Sequence, residues 1–177
     1  TPMHYFSINY LKADGGVTVT ASHNPKEFNG FKLSRRGAVT IYQGEGMEEV
    51  KNSVIRGIFE TPKGRGKVIE NNLEHDYVEF LLSNIPANEF AQRLKIVFDC
   101  GNGMAGLVLR RLAERLPIDF EILYEDIDMT FPNHEANPAK DETLISLRQR
   151  VLETGADLGV TFDGDGDRVG FLTHEGE

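Results

Sequence analysis

Three loops carry residues whose types and spacing could do chemistry, and the most distinctive is Asp163-Gly164-Asp165-Gly166-Asp167-Arg168. It sets three carboxylates at i, i+2 and i+4, with glycines between them that let the backbone wrap tightly around a point. Like charges this close repel strongly unless a cation neutralises them, and hard carboxylate oxygens select Mg²⁺, Ca²⁺ or Mn²⁺. An EF-hand calcium loop needs Gly at its sixth position and Glu at its twelfth. Here Arg168 and His174 stand at those places, and the run lies between expected strands at Leu158 to Phe162 and Val169 to Leu172 rather than between helices. The plain alternative is a solvated acidic turn, which Asp-Gly pairs often make. Strict alternation of acid and glycine favours the divalent cation.

The second loop, Thr20-Ala21-Ser22-His23-Asn24-Pro25, follows the β-branched run Val17-Thr18-Val19-Thr20, so Ser22 is expected at a strand end. His23 beside it does not by itself make a nucleophile and base. Adjacent side chains on extended backbone point apart, and a base must come within about 3 Å of Oγ. A serine or Asx turn before proline is the plain alternative. Asn29-Gly30-Phe31-Lys32 adds a hairpin that returns past the loop and could bring the Lys32 ammonium to an anion held at Ser22.

The third loop, Gly101-Asn102-Gly103-Met104-Ala105-Gly106, matches G-x-G-x-x-G between a strand and a helix, with Glu125 where a ribose-binding acid would sit. It raises a rival reading, an NAD(P)-binding oxidoreductase domain. Against it, Asp99 and Cys100 intrude before the first glycine, and glycines also serve simply to let a strand turn closely into a helix.

The elements that must position these loops are readable from periodicity. Thr1 can cap a helix over 2 to about 12 with Pro2 at its first position. Strands are expected at 17–20, 31–34 and 38–42, then a helix at 47–59. Residues 60–72 lose the apolar periodicity and gain Pro, Gly and charge, so the chain divides there into domains at 1–72 and 73–177. The second half alternates: helix 73–84, strand 95–99, helix 104–115, strand 119–124, a long loop with Pro132 and Pro138, helix 142–153 closed by Gly155, strand 158–162. Such alternation implies a parallel sheet. The fold class is therefore α/β: two small domains of mixed or parallel sheet flanked by helices, in three layers. All three loops lie at the carboxyl ends of strands, where ligands collect in such sheets.

Composition sets the outer limits. With 177 residues, 40% hydrophobic and 27% charged, the chain is long enough for a real core and unlike a disordered, collagenous or coiled-coil sequence. Its 19 basic against 28 acidic residues, net charge −9, suit neither a nucleic-acid backbone nor an anionic membrane surface. No apolar run approaches the roughly 18 residues a bilayer span needs. A single cysteine, Cys100, cannot form an internal disulfide, so a reducing cytoplasm is the expected compartment. Both ends read as interrupted, a helix with nothing before it and a turn with nothing after it, as in a piece of a longer protein.

Taken together, Thr20 to Pro25 with Asn29-Gly30-Phe31-Lys32, Phe98-Asp99-Cys100-Gly101-Asn102-Gly103, and Gly155 to Gly159 through Phe162 to Arg168 resemble the α-D-phosphohexomutase family, most closely its phosphomannomutase/phosphoglucomutase group. The resemblance covers essentially the whole chain and corresponds to the latter part of the first of four domains and most of the second. It implies that Ser22 is the phosphoserine position, that Asp163, Asp165 and Asp167 bind Mg²⁺ with a phosphoserine oxygen of Ser22 completing the shell, and that His23, Lys32 and Arg168 assist proton transfer or steady the phosphate. It further implies interconversion of hexose 1- and 6-phosphates through a hexose 1,6-bisphosphate. The sugar-recognising and distal phosphate-binding loops of the remaining domains are not found here, so these residues alone are expected to be inactive. A metal-binding module without catalysis is the third reading.

Overall fold

The structure is a computed structural model that describes residues 1–61, 64–86 and 92–177. The first half opens with helix α1 (Pro2–Tyr10), where Pro2 occupies the first turn, the position at which its missing N–H costs nothing. Thr1 is the N-cap residue, but its hydroxyl is turned to Asp165 rather than to the helix. Strands β1 (Gly15–Val19), β2 (Phe31–Arg35) and β3 (Val39–Ile41) follow, with a 3-10 turn at Arg36–Ala38, and pair antiparallel in the order β1-β2-β3. α1 lies against β1 and the 3-10 turn. Helix α2 (Met47–Arg56) stops at Gly57, three residues short of the expected end, because Gly57 takes the left-handed conformation that closes a helix.

Between Arg56 and Glu74 the described residues form no helix or strand; Pro62 and Lys63, inside the expected boundary, lie outside the described residues. Helix α3 (Glu74–Ser83) then leads into β4 (Lys95–Asp99), α4 (Gly106–Ala113), β5 (Asp119–Leu123), a 3-10 turn at Asp141–Leu144, α5 (Ile145–Thr154), β6 (Leu158–Phe162) and β7 (Val169–Thr173). The sheet order is β5-β4-β6-β7, with β4 parallel to both β5 and β6. β7 departs from the expected parallel pattern and runs antiparallel to β6. The reason is length: only Asp163 to Arg168 join them, and a parallel connection needs a dozen residues or more.

Alternation along β4 builds two cores. Ile96 and Phe98 face Leu109 and Ala113 of α4 together with Val160. Val97, on the opposite face, meets Leu147 and Val151 of α5 and Leu172 of β7. The second half is thus three layers, with α3 packed outside α4. Phe6 of α1 ties the halves together, its ring centroid 5.2 Å from Tyr77 and 5.1 Å from Phe80 of α3, while Tyr10 Oη donates to Asp76 Oδ1 at 2.9 Å. Through this contact the carboxyl end of β1 is brought to the carboxyl end of β6.

Candidate active site

The acidic loop is a six-residue hairpin pinned by the Phe162–Val169 ladder pair. Asp163 is fully buried and folds the loop around itself: its Oδ1 accepts the backbone N–H of Asp167 and of Arg168, both at 3.0 Å, and its Oδ2 accepts Arg168 Nε at 3.0 Å. Asp165 is buried too, and among the described residues its Oδ1 has no hydrogen-bond partner. Leaving such an oxygen unsatisfied costs about 1–3 kcal/mol, more for a charged group. One oxygen from each of Asp163, Asp165 and Asp167 lies within 4.8 Å of the others. Three hard oxygens around one buried, unpaired acceptor fit an oxygen-seeking divalent cation.

Ser22 reaches this loop from the other half. It has φ +54, the left-handed region that non-glycine residues seldom occupy, and its backbone N–H is held by Thr20 Oγ1 at 2.8 Å. Its Oγ donates to Asp163 Oδ2 at 3.1 Å and lies 3.3 Å from Arg168 Nη2. His23 Nδ1 lies 3.4 Å from Ser22 Oγ, closer than extended backbone allows. The expectation that the two side chains point apart fails because Ser22 is not extended: the left-handed turn swings them to one side.

Lys32 is also in the site, but its ammonium goes to the acids rather than to Ser22. Nζ lies 2.7 Å from Asp165 Oδ2, 2.6 Å from Asp167 Oδ2 and 3.1 Å from Thr1 Oγ1. Partial burial works to lower its pKa, but the bonds to both aspartates outweigh it and raise it. Burial pushes Asp165 upward, and Lys32 with the Thr1 hydroxyl overcomes that, so its pKa is lowered to about 2. Sequence reading missed Thr20, whose Oγ1 donates to Asp165 Oδ2 at 3.1 Å while accepting from Ser22 N. Nothing in residue type marks it: Thr20 stands just past the end of β1, before the left-handed turn at Ser22. Ser22, Gly164 and Asp165 border a cavity of about 780 Å³ that Met104 and Phe131 also line.

The glycine loop sits beside these two. Met104 N–H donates to Gly164 O at 2.9 Å. Asn102 anchors the long loop after β5: its N–H donates to Tyr124 O, its O accepts from Asp128 N, and its side chain bonds Asp126 O and Asn133 Nδ2. Glu125, the residue a ribose would need, is held by Arg110 Nε at 2.7 and 3.0 Å. Behind the loop, fully buried Asp99 faces His134 Nε2 at 3.0 Å.

Comparison with known proteins bears on the family of this chain. Residues 1–60 match the family model for phosphoglucomutase/phosphomannomutase α/β/α domain I, and residues 75–176 match the model for domain II. A phosphomannomutase/phosphoglucomutase of Pseudomonas syringae is 38% identical over 182 residues, 99% of this chain and 36% of that protein. A phosphomannomutase of Salmonella typhimurium is 38% identical over 98% of the chain and 39% of its own length. Among solved structures, a phosphoglucomutase/phosphomannomutase family protein of Burkholderia thailandensis superposes with a TM-score of 0.82 at 37% identity, covering 93% of this chain and 34% of its own. The chain thus spans between a third and two fifths of the length of these relatives. With both of its halves matched, it belongs to the phosphoglucomutase/phosphomannomutase family of α-D-phosphohexomutases.

Proposed function

We propose that this chain supplies the phosphoryl-donor and metal-holding part of a phosphohexomutase, divided into units at 1–72 and 73–177, that works with further domains in a reducing cytoplasm. Ser22 carries the phosphoryl group as phosphoserine and gives it to a hydroxyl of a hexose 1- or 6-phosphate. The phosphorus–Oγ bond breaks, a bond to the sugar oxygen forms, and the hydroxyl proton passes to the freed Ser22 oxygen. The resulting hexose 1,6-bisphosphate returns its other phosphoryl group to Ser22, so the net change is isomerisation.

The chain's own residues have separable roles. Arg168 lies on both Ser22 Oγ and Asp163, which suits it to charge developing on the transferring oxygens. His23, 3.4 Å from Oγ, is placed to move the proton that Ser22 gains or loses. Lys32 holds Asp165 and Asp167 against their mutual repulsion. Mg²⁺, held by Asp163, Asp165, Asp167 and an oxygen on Ser22, would neutralise the phosphoserine's charge of about −1.5 to −2 beside the three acids.

The observation that carries this reading is the 3.1 Å contact between Ser22 Oγ and Asp163 beside the unpaired Asp165 Oδ1. The test is intact mass before and after phosphatase, followed by mapping of the modified residue. One phosphate on Ser22 is expected; its absence after incubation with glucose 1,6-bisphosphate, or its presence elsewhere, would overturn the proposal.

A further inference from the structure

The glycine loop matches a nucleotide-binding pattern, yet its acid partner is engaged with Arg110 and its backbone runs against the acidic loop. We infer that this loop is a spacer for the phosphoryl-transfer site, with Gly103 and Gly164 as the positioning residues. The inference rests on the proposed function.

Three loops from three strand ends meet here backbone to backbone. Met104 N–H donates to Gly164 O at 2.9 Å. A Cβ on Gly103 would lie 2.9 Å from Gly164 O and 3.1 Å from Gly164 Cα. A Cβ on Gly164 would lie 2.5 Å from Ser22 O. Neither glycine has the left-handed φ that would demand glycine for conformation. What each supplies is room: Gly103 lets the acidic loop settle on the glycine loop, and Gly164 lets the Ser22 backbone settle on the acidic loop. The stack Gly103–Gly164–Ser22 sets the distance from Ser22 to the aspartates, while the Asp99–His134 pair and Asn102 hold the base of the stack in place.

Alanine at these positions is therefore a probe of spacing. Real Cβ contacts essentially never fall under 3.0 Å and become ordinary at 3.4 Å, so alanine at 164 requires a retreat of about 0.5–0.9 Å, and alanine at 103 about 0.1–0.5 Å. A misplacement near 1 Å costs phosphoryl transfer on the order of 100-fold when positioning is the main source of rate.

The experiment compares wild type, Gly103→Ala and Gly164→Ala in the complete protein. It reads thermal unfolding, the rate of phosphate uptake on Ser22 from glucose 1,6-bisphosphate by intact mass, and kcat and KM for the hexose monophosphate. Expected are similar unfolding temperatures, KM within about threefold, and uptake rate and kcat falling in the order wild type, Gly103→Ala, Gly164→Ala, the last by about 100-fold. Wild-type rates in Gly164→Ala overturn the inference, as does loss of fold in either variant, which would make these glycines structural. A wild type that takes up no phosphate overturns the proposed function instead, and the inference with it.

Discussion

Ser22 Oγ lies 3.1 Å from Asp163 Oδ2, although 141 positions separate the two residues in the chain. The contact joins the end of an antiparallel sheet to the end of a largely parallel one, and it is made by a serine in a left-handed conformation and a carboxylate with no exposure. Ser22→Ala removes the hydroxyl and leaves both loops in place. We expect no phosphate uptake by intact mass and a fall in kcat of about 10³-fold or more in the complete protein, at an unchanged unfolding temperature.

Lys32 and the acidic loop yield a metal-linked prediction. Lys32→Met strips Asp165 and Asp167 of their shared cation, and the protein in EDTA should lose about 1–3 kcal/mol of stability. The gain on adding Mg²⁺ should be larger in the variant than in wild type, since the ion then relieves repulsion that Lys32 no longer covers. Denaturant titration with and without Mg²⁺ measures both; an equal gain would show that Lys32 does not shield these acids.

Asp165→Asn replaces the buried carboxylate with a neutral amide. Mn²⁺ affinity, read by electron paramagnetic resonance, should fall at least about tenfold, and the unfolding temperature in EDTA should fall as well because Lys32 loses a charge partner. Unchanged affinity would exclude Asp165 from the ion's ligands.

The Asp99–His134 pair gives a pH signature. Burial works to lower the His134 pKa, but hydrogen bonding and charge from Asp99, with the Glu135 carbonyl, raise it above 6.5. A histidine raised in the folded state contributes stability that is full below its unfolded pKa, near 6.5, and lost as pH rises through its folded value. Wild type should therefore lose stability above pH 6.5 relative to His134→Asn. Urea midpoints for the two proteins across pH 6 to 9 would show the difference shrinking with pH; parallel curves would mean that the pair does not titrate.

Residues 1–177 expressed alone should show no measurable isomerisation of glucose or mannose phosphates, since the chain covers between a third and two fifths of its relatives' length. A coupled assay checks this, and steady turnover would mean that further domains are not needed.

Much of the fold is legible in the sequence. Strands 95–99 and 158–162 fall where expected because continuous apolar runs between turn residues leave little choice. Ends defined by competing local signals moved: α4 begins at Gly106 rather than 104, and the helix expected at 142–153 splits into a 3-10 turn and α5. The antiparallel β7 follows from a six-residue connection that was visible but not used. The Ser22–His23 geometry was hidden because a positive φ at a serine has no signature in residue type. The expectation set Lys32 beside an anion held at Ser22, and the structure puts its ammonium on Asp165 and Asp167, a placement that depends on where β2 sits relative to the second sheet.

The two sides of this grip differ in stiffness. Asp163 to Arg168 are clamped by a ladder pair at their base and threaded through by Asp163, whereas eleven residues separate β1 from β2, and those from Asn24 to Asn29 stand exposed with few internal bonds. One jaw is a fixed anvil and the other a compliant arm. Adjustment is then left to the exposed stretch from Asn24 to Asn29, and substitutions there should retune the grip without disturbing the seat beneath it.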